Sequence, residues 1–555
     1  MKKLTNYLFL PLALFAFEAL SQSIPNALQQ LEREQFTDAT AQMAKIVQNT
    51  PTAESYFYSG YVAVRTKQLT DAKAFFEKGA LLDEKRRPLN KAGLGIVAHL
   101  EGRTADADAI IAEVMKESKG KDAEILWRIG EAYTGYVNVM GELDKSLYKD
   151  RNAQKAIEYL EMALKRDKKN GGIWLSIGDA RDLLDQRNAG PAVTAYEFAT
   201  DLLTSPSVAK TRIGNVYWRG RSTNIASDYF KAAIQADSLY APAYLQLAEM
   251  SFATNKTKIA AINLDKYIKL IEAPTTDLMF RSAKFDYLAK NYQSAIEKVE
   301  RLNNQLADPM KYRIMGRSYF NLKNYDKTIS NLTVFVEKAP EKVEGIEFKM
   351  LGRSYQNTPD TTITNKDSLT VYYLAKAAET DSTENLYSEI AKISYKLKHY
   401  EEAINYIETG NKKFKKSLIS DTFWLGMAAY QSGRKDSTMY QKADSAFAVV
   451  EEANPNHIST ILYRARANYY GHTNKDTAYV KSIPFYERFV ELAQNQQKEK
   501  FYQYDMKIAL KYLYVYYSEV EKDIDKAKTF VDTGARLYPK DPDFKQLIES
   551  GSATQ

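Results

Sequence analysis

Apolar, small and polar residues recur along this chain in an order that repeats after about 36 residues. The stretch YRIMGRSYFNLKNYDKTISNL begins at Tyr312, and FKMLGRSYQNTPD follows from Phe348. Their central glycines, Gly316 and Gly352, are therefore one interval apart. In the first copy, Tyr312 precedes the glycine by one helical turn and Tyr319 follows it within the next. The pattern predicts helices that pack closely at the glycine and recur in tandem.

Other segments of the chain share this register. The small central residue is Gly60, Gly178, Gly214, Ala248 or Ala391 in five of them. In the Gly316 copy, Tyr325 and Pro340 stand where a second helix would begin and where the unit would end. This spacing resembles the tetratricopeptide repeat (TPR), aromatic-x2-Leu-Gly-x2-Tyr…Ala-x3-Phe-x2-Ala…Pro over roughly 34 residues. Counted permissively, about thirteen units, ten of them clear, fit between Ala27 and Pro542.

The resemblance implies an all-α fold, a right-handed TPR superhelix (α-solenoid) of about 12–13 helix–turn–helix units. Small residues let two antiparallel helices approach, and stacked neighbours bury the apolar faces that one unit leaves open. We expect an N-terminal array over residues 22–270, a central array over 271–416, and a C-terminal array with a capping helix over 417–545. A disordered tail is expected over 546–555. Insertions interrupt the pattern near residues 134–152 and 357–369 and are either partner contacts or tolerated loops.

The N-terminus reads as a signal peptide over residues 1–21. Lys2 and Lys3 precede an apolar run, and Ala19 and Ser21 are spaced like a signal-peptidase site. The alternative, a membrane anchor, is less favoured because the run is short and Pro11 and Glu18 interrupt it. The chain contains no cysteine, which excludes disulfides and a lipid-acceptor thiol. These features predict an exported, periplasmic protein without a lipid anchor or stable membrane insertion. A narrower form of the prediction associates the protein with an outer-membrane complex.

Composition and motifs argue against catalysis and against nucleic acid. Among the 555 residues, 77 are basic and 70 acidic, and the two signs are interspersed, which is weak support for a nucleic-acid partner. The four histidines, His99, His399, His457 and His472, are isolated in the sequence, and no zinc, phosphate-loop, dinucleotide or nucleophile-elbow motif occurs. We therefore expect no enzyme activity, no metal and no cofactor. The remaining enzymatic alternative is a pocket in the first insertion that would bring Asp144, Lys145, Asp150 and Arg151 together.

The resemblance places one set of polar residues in the concave groove. In TPR proteins the fifth, ninth and thirteenth positions of each first helix face that groove. Here these positions hold Arg313, Arg317 and Asn321 in one unit, Lys349, Arg353 and Asn357 in the next, and Lys284 and Lys392 in neighbouring units. The set resembles part of the carboxylate clamp with which some family members bind an acidic C-terminus. The competing interpretation is that these cations pair with acidic residues of adjacent helices, such as Asp286, Asp326 or Glu347.

Aromatic residues supply the second groove feature. The register brings to the groove Phe57, Tyr61, Trp127, Trp218, Phe252, Phe280, Tyr287, Phe320, Phe423 and Tyr430. Exposed rings in a concave surface suit peptides, and they also stack on sugars. The sequence thus predicts a protein-binding scaffold or adaptor of the cell envelope, acting in secretion or outer-membrane complex assembly. Its partners would be other envelope proteins or their acidic segments and C-termini. The alternative is a carbohydrate- or peptidoglycan-binding helper that uses these rings.

Overall fold

A computed structural model describes residues 23–82, 85, 87–134, 152–302, 305–380 and 383–552, with side chains up to residue 549. The expected signal peptide, most of the first insertion with its four candidate pocket residues, and residues 553–555 lie outside the described residues. The described part contains 29 α-helices and divides into two compact units, Met1–Ala307 and Asp308–Gln555.

The first unit holds sixteen of these helices in eight consecutive pairs. They are α1 Ile24–Glu32, α2 Phe36–Asn49, α3 Ala53–Arg65, α4 Leu69–Leu82, α5 Arg87–Leu100, α6 Thr104–Ser118, α7 Ala123–Thr134, α8 Ala153–Arg166, α9 Gly171–Leu184, α10 Gly190–Leu202, α11 Ser207–Arg219, α12 Thr223–Ala236, α13 Ala241–Ala253, α14 Thr257–Leu270, α15 Thr276–Leu288 and α16 Tyr292–Leu302.

The second unit holds six further pairs and a final helix. They are α17 Met310–Asn321, α18 Tyr325–Lys338, α19 Gly345–Asn357, α20 Lys366–Thr380, α21 Tyr387–Lys396, α22 Tyr400–Phe414, α23 Ile419–Ser432, α24 Thr438–Ala453, α25 Ile458–Tyr470, α26 Lys475–Asn495, α27 Gln503–Val515, α28 Ile524–Leu537 and α29 Pro542–Ser552. The chain is thus all-α, and its consecutive helical pairs form an α-solenoid, as the spacing predicts. The pairs number slightly more than expected.

The small central residue of each repeat lies where the two helices of a pair touch. A Cβ atom added to Gly352 would lie 2.7 Å from Leu374 Cγ and 3.1 Å from the Leu374 backbone nitrogen. At Gly316 it would lie 2.6 Å from Leu332 Cγ. The glycine therefore sets the distance between the first and second helix. This explains why the pattern is most regular at this position.

The turn inside most pairs contains one residue with a left-handed backbone, and that residue is usually lysine. Lys67, Lys290, Lys323 and Lys398 have φ between 60° and 66°. Each follows the end of a first helix by one or two residues. Glycine is the residue that favours this conformation, so its frequent absence here hides the turn from sequence inspection.

The expected division into three arrays and a tail remains a prediction, and two features of the structure bear on its boundaries. The final helix continues past residue 545, where the disordered tail was expected to begin, because Leu547 packs against the core of the preceding helices. The division between the two units lies at residues 307 and 308, inside the expected central array.

The second insertion is an ordered loop in which the Asp360 carboxylate accepts hydrogen bonds from the backbone and the hydroxyl of Thr362.

Among the described residues, none of the helices combines the length and the apolar character needed to cross a bilayer.

Candidate functional site

The predicted basic residues stand on the first helices of successive pairs. Lys284 lies on α15 of the first unit. In the second unit, Arg313, Arg317 and Asn321 lie on α17, Lys349, Arg353 and Asn357 on α19, and Lys392 on α21. Within that unit, four of these cations engage carboxylates at or near the start of the next first helix. The alternative pairing with Glu347 is therefore what the structure shows.

Two arginines of α17 share two glutamates of α19. Arg313 Nε lies 2.8 Å from Glu347 Oε1, and its Nη2 lies 2.6 Å from Glu344 Oε2. Arg317 pairs with Glu347 and approaches Glu344 Oε2 at 3.0 Å. The other oxygen of Glu347 accepts the Glu344 backbone N–H at 2.8 Å, at the start of α19. Glu347 thus joins both arginines to the helix terminus.

The same arrangement occurs one repeat later. Lys349 pairs with Glu384, and Arg353 Nη2 lies 3.3 Å from Glu384 Oε1 and 3.0 Å from Glu389 Oε2. We call these eight residues the paired-charge row: Arg313, Arg317, Lys349 and Arg353 with Glu344, Glu347, Glu384 and Glu389. Four cations face four carboxylates, so the row has no formal net charge.

The carboxylates of the row differ in their exposure. The side chain of Glu347 is 0% exposed, whereas those of Glu344 and Glu384 are 63% and 44% exposed. Hydrogen bonds from Arg313 and Arg317 lower the pKa of Glu344, and a hydrogen bond from Lys349 lowers that of Glu384. Both exposed carboxylates therefore remain ionised at neutral pH while they contact the bases.

The other predicted residues of this surface lie outside the ion pairs. Asn321 and Asn357 donate their side-chain amides to the carbonyl oxygens of Arg317 and Arg353, one helical turn earlier, at 2.8 and 2.7 Å. Their amide oxygens remain directed away from those bonds. In the first unit, the ammonium of Lys284 lies 4.3 Å from the centre of the Phe280 ring. Lys392 is half-buried on α21.

Most of the predicted groove aromatics serve helix packing. Phe57, Tyr61, Phe280 and Tyr430 are buried in the core. Phe252 is 41% exposed, but its ring stacks on Phe285 with centroids 4.4 Å apart. Their use in packing leaves little open ring surface at these positions for stacking on sugars.

The first unit encloses a cavity that the sequence did not reveal. Its volume is about 530 Å³, and α1, α3, α7, α9 and α11 form its walls. Four arginines and four carboxylates line it as pairs: Arg33 with Asp237, Arg65 with Glu32, Arg128 with Glu131, and Arg212 with Asp179. Three of these pairs join separate repeats, and Arg128 and Glu131 lie one turn apart on α7, so no local motif marks the set. The signal in the sequence is limited to arginines and acids on otherwise apolar helices.

Arg128 is the most buried base of the cavity, with a side chain 3% exposed. Its guanidinium carbon lies 3.8 Å from the centre of the Trp127 ring and 4.5 Å from that of Tyr61. Its Nη1 donates to Glu131 Oε2 at 2.7 Å. Its Nε–H is buried and meets no acceptor among the described residues. Arg128 is therefore a charged group held between rings with part of its donor capacity unused.

The opposite charge in the cavity is carried in part by Asp179. Its Oδ1 accepts the hydroxyl of Tyr196 at 2.8 Å and lies 3.2 Å from Arg212 Nε. Burial nevertheless raises the pKa of Asp179, because loss of hydration outweighs the attraction of Arg212 and the Tyr196 hydrogen bond. Both of these contacts are made by the same carboxylate oxygen, Oδ1.

Long-range contacts join the first pair of helices to the region of α13 and α14, and two of the residues involved, Arg33 and Asp237, line the cavity. Arg33 donates from Nε and Nη2 to both oxygens of Asp237, at 2.8 and 3.0 Å. Tyr267 donates its hydroxyl to Glu34 at 2.8 Å. The Glu272 carboxylate accepts two backbone N–H groups at the start of α2. The first pair of helices is thereby joined to α14, to the turn before α13 and to the turn after α14.

No group of three or more His, Asp or Glu side chains suited to a metal ion occurs within the described ranges. His99 and His457 are instead part of the packing, beside Tyr133 and Phe423 respectively.

Comparison with known proteins gives structural likeness only. No protein-family model matches the chain, and no curated protein matches its sequence. Among solved structures, the C-terminal part of a TPR repeat-containing protein from Cytophaga hutchinsonii is 25% identical, with 48% of this chain and 98% of that chain covered and a TM-score of 0.33. Pseudomonas aeruginosa pilF is 13% identical, with 41% and 96% covered and a TM-score of 0.31. YrrB, a TPR protein with an unusual peptide-binding site, is 16% identical, with 41% and 96% covered and a TM-score of 0.23.

Proposed function

We propose that this protein is a non-catalytic scaffold or adaptor that binds acidic segments of partner proteins along the paired-charge row. The supporting observation is the contrast between its carboxylates. Buried Glu347 holds Arg313 and Arg317 from the protein side, and exposed Glu344 occupies their solvent side. The arginines are therefore oriented before any ligand arrives, which lowers the entropic cost of binding.

Binding would proceed by exchange of carboxylates. An acidic side chain or a C-terminal carboxylate of the partner replaces Glu344 at the α17 arginines, and a second one replaces Glu384 at Lys349 and Arg353. Arginine offers two parallel N–H donors to such a group, which favours carboxylates over neutral ligands. Each exchange replaces one ion pair by another, so a single exchange adds no new pair. The affinity therefore depends on a partner that binds at two repeats at once.

The location of the protein in the cell envelope is part of the same proposal. The basic start at Lys2 and Lys3, the apolar run and the small residues Ala19 and Ser21 support export. An exported α-solenoid that binds protein segments suits the assembly of secretion or outer-membrane complexes in the envelope. Cell fractionation with an antibody to the mature chain tests this part, and recovery of the protein in the cytoplasm with residues 1–21 still attached would contradict it.

The exchange mechanism makes a prediction that ordinary ion pairing does not. We expect the double variant Glu344→Gln, Glu384→Gln to bind a fluorescein-labelled peptide ending in four glutamates several-fold more tightly, because the internal competitors are gone. The triple variant Arg313→Ala, Arg317→Ala, Arg353→Ala should bind it at least about tenfold more weakly, a loss of roughly 1.4 kcal/mol. Fluorescence anisotropy at two salt concentrations measures both.

A matched control separates this effect from a general change of charge. Glu341 and Glu401 are exposed glutamates of the same unit outside the row. The variant Glu341→Gln, Glu401→Gln changes net charge equally and should leave the affinity within about twofold of the parent. Equal gains in both double variants, or no gain in Glu344→Gln, Glu384→Gln, would contradict exchange at the row.

The partner itself can be identified by cross-linking in intact cells followed by mass spectrometry. The same experiment with the triple arginine variant should lose the cross-linked partners that the parent captures. Retention of every partner would exclude the paired-charge row as the docking surface.

A further inference from the structure

The cavity of the first unit has the size of a small-molecule site. Its volume of about 530 Å³ lies within the roughly 300–1,000 Å³ typical of ligand pockets. Pro25 and Thr204 are its exposed lining residues, and the side chain of Glu32 is 37% exposed. All of its walls belong to the first unit, so this site is separate from the paired-charge row of the second.

The charges of the lining restrict the chemistry of the occupant. Four arginines and four carboxylates balance each other, so neither a simple anion nor a simple cation matches the whole wall. Both signs nevertheless have unmet capacity. Arg128 has a buried donor without an acceptor, and Asp179 makes its contacts with Tyr196 and Arg212 through one carboxylate oxygen, Oδ1. A ligand with one negative and one positive group satisfies both.

Stability alone gives a weak reason to keep these groups buried. Replacement of a buried ion pair by apolar residues of similar volume is often neutral or stabilising. Here the pairs occupy several repeats at the positions that face one enclosed space. Apolar groups lie beside them on the same wall, namely Leu28, Leu175, Leu203 and Val208. The combination offers an apolar contact next to charges of both signs.

We propose that this cavity binds a zwitterionic molecule of about dipeptide size. Its carboxylate meets Arg128, its ammonium group faces Asp179, and its apolar side chain lies against Leu175 and Val208. The rings of Trp127 and Tyr61 that flank Arg128 exclude water from that contact and strengthen it.

Calorimetry on the full mature chain tests the proposal with defined probes. Leucyl-alanine should bind with saturation. Glycyl-glycine should bind several-fold more weakly because it lacks the apolar side chain. N-acetyl-leucyl-alanine and leucyl-alanine amide, each lacking one charge, should bind at least tenfold more weakly than leucyl-alanine. Saturable binding of either capped peptide with the affinity of leucyl-alanine would contradict the proposal that the ligand is zwitterionic. Absence of leucyl-alanine binding at millimolar concentration would contradict the proposal that the cavity is a binding site.

Two variants locate the binding, and a third is a tryptophan substitution outside the cavity that serves as their control. Thr204→Trp places a large side chain at an exposed lining residue that belongs to none of the ion pairs, and it should abolish leucyl-alanine binding while the helical circular dichroism is unchanged. Asp179→Asn keeps an acceptor for Tyr196 but removes the charge, and it should weaken binding tenfold or more. Ser222→Trp, on an exposed turn outside the cavity, is the matched control and should bind as the parent does. Binding that survives both Thr204→Trp and Asp179→Asn would place the ligand elsewhere.

Discussion

Glu347 is the residue on which the α17–α19 contact depends. It is fully buried, it pairs with Arg313 and Arg317, and it accepts the backbone N–H of Glu344. Replacing it by glutamine preserves shape and one acceptor but leaves two arginines with one exposed partner. We expect Glu347→Gln to lower the free energy of unfolding by about 3 kcal/mol, the usual loss when one member of a buried pair is removed. Urea unfolding followed by circular dichroism measures it.

The neighbouring Glu344 provides the control for that substitution. It binds the same two arginines from the solvent side, so Glu344→Gln should cost less than about 1 kcal/mol, as exposed ion pairs do. Similar losses in the two variants would show that burial does not distinguish these carboxylates.

Gly352 tests the close approach of the helices within a repeat. A Cβ atom there meets Leu374 at its side chain and at its backbone nitrogen, so helix α20 must shift. Overpacking of this kind costs about 1–3 kcal/mol, and alanine returns about 1 kcal/mol of helix propensity. We expect Gly352→Ala to lose about 1 kcal/mol net.

The comparison for Gly352 is a glycine with open space around it. At Gly220, which has a right-handed backbone, the nearest atoms to an added Cβ are 3.5 Å away. Gly220→Ala should therefore leave the urea midpoint unchanged or raise it. A midpoint that falls for Gly220→Ala and not for Gly352→Ala would contradict the packing explanation.

At the scale of single residues, the sequence predicted the positions of the repeat residues better than the contacts that these residues make. Gly316 and Gly352 recur because helix packing fixes them, and Ser318 and Ser354 beside them are buried spacers. Arg317 and Arg353 occupy equivalent places one repeat apart, as the register indicates. Which carboxylates they meet depends on where the following helix begins. That start is set by the turn, which explains why only Glu347 among the four glutamates was anticipated.

Among the helices, the contact of α1 and α2 with α14 is the one that sequence reasoning missed. Tyr267 and Glu34 are 233 residues apart, and Arg33 and Asp237 are 204 apart. Their meeting results from small rotations accumulated over the intervening pairs, which a repeat pattern does not specify. Arg33 and Asp237 also line the cavity, so the cavity was equally hidden.

This contact should respond to pH through Glu34. Burial raises its pKa from 4.5 to about 7, opposed by the hydrogen bond from Tyr267 and by Arg65 and increased by Glu32. The folded state thus holds a proton that the unfolded state releases near pH 4.5, so the contribution is complete below that pH and is lost as pH rises through about 7. We expect amide hydrogen exchange in α1 and α2, corrected for its intrinsic rate, to slow as pH falls from 8 to 6.

Glu34→Gln isolates this effect, because glutamine stays neutral and still accepts the Tyr267 hydroxyl. The variant should show slow, pH-independent exchange over the same range. Glu54→Gln, an exposed change on α3, should retain the pH dependence of the parent. Persistence of the full pH dependence in Glu34→Gln would assign the titration to another group.

At the scale of the whole molecule, the fold class followed from the sequence because the same local constraint recurs in every pair. Each copy of the pattern adds evidence for the same helix–turn–helix unit, and errors in single copies do not accumulate. The division into two units is a different kind of property. The boundary lies between residues 307 and 308, and no composition change marks that place.

The two units have hydrophobic cores of their own, and this leads to a prediction about fragments. The core clusters of the first unit run from Ala27 to Ala289, and those of the second from Leu332 to Phe544. In a solenoid, stability is the sum of repeats and nearest-neighbour interfaces, so six pairs with a terminal helix are enough for folding. We expect residues 308–555, expressed alone, to show helical circular dichroism and cooperative urea unfolding.

The same fragments separate the two proposed sites. Residues 308–555 contain the whole paired-charge row and should bind the acidic peptide with the affinity of the full chain, without binding leucyl-alanine. Residues 22–307 contain every residue of the cavity and should show the opposite preference. A folded 308–555 fragment that fails to bind the acidic peptide would contradict the row as a sufficient site. A folded 22–307 fragment that fails to bind leucyl-alanine would contradict the cavity as a sufficient site, because the fragment contains all of the lining residues.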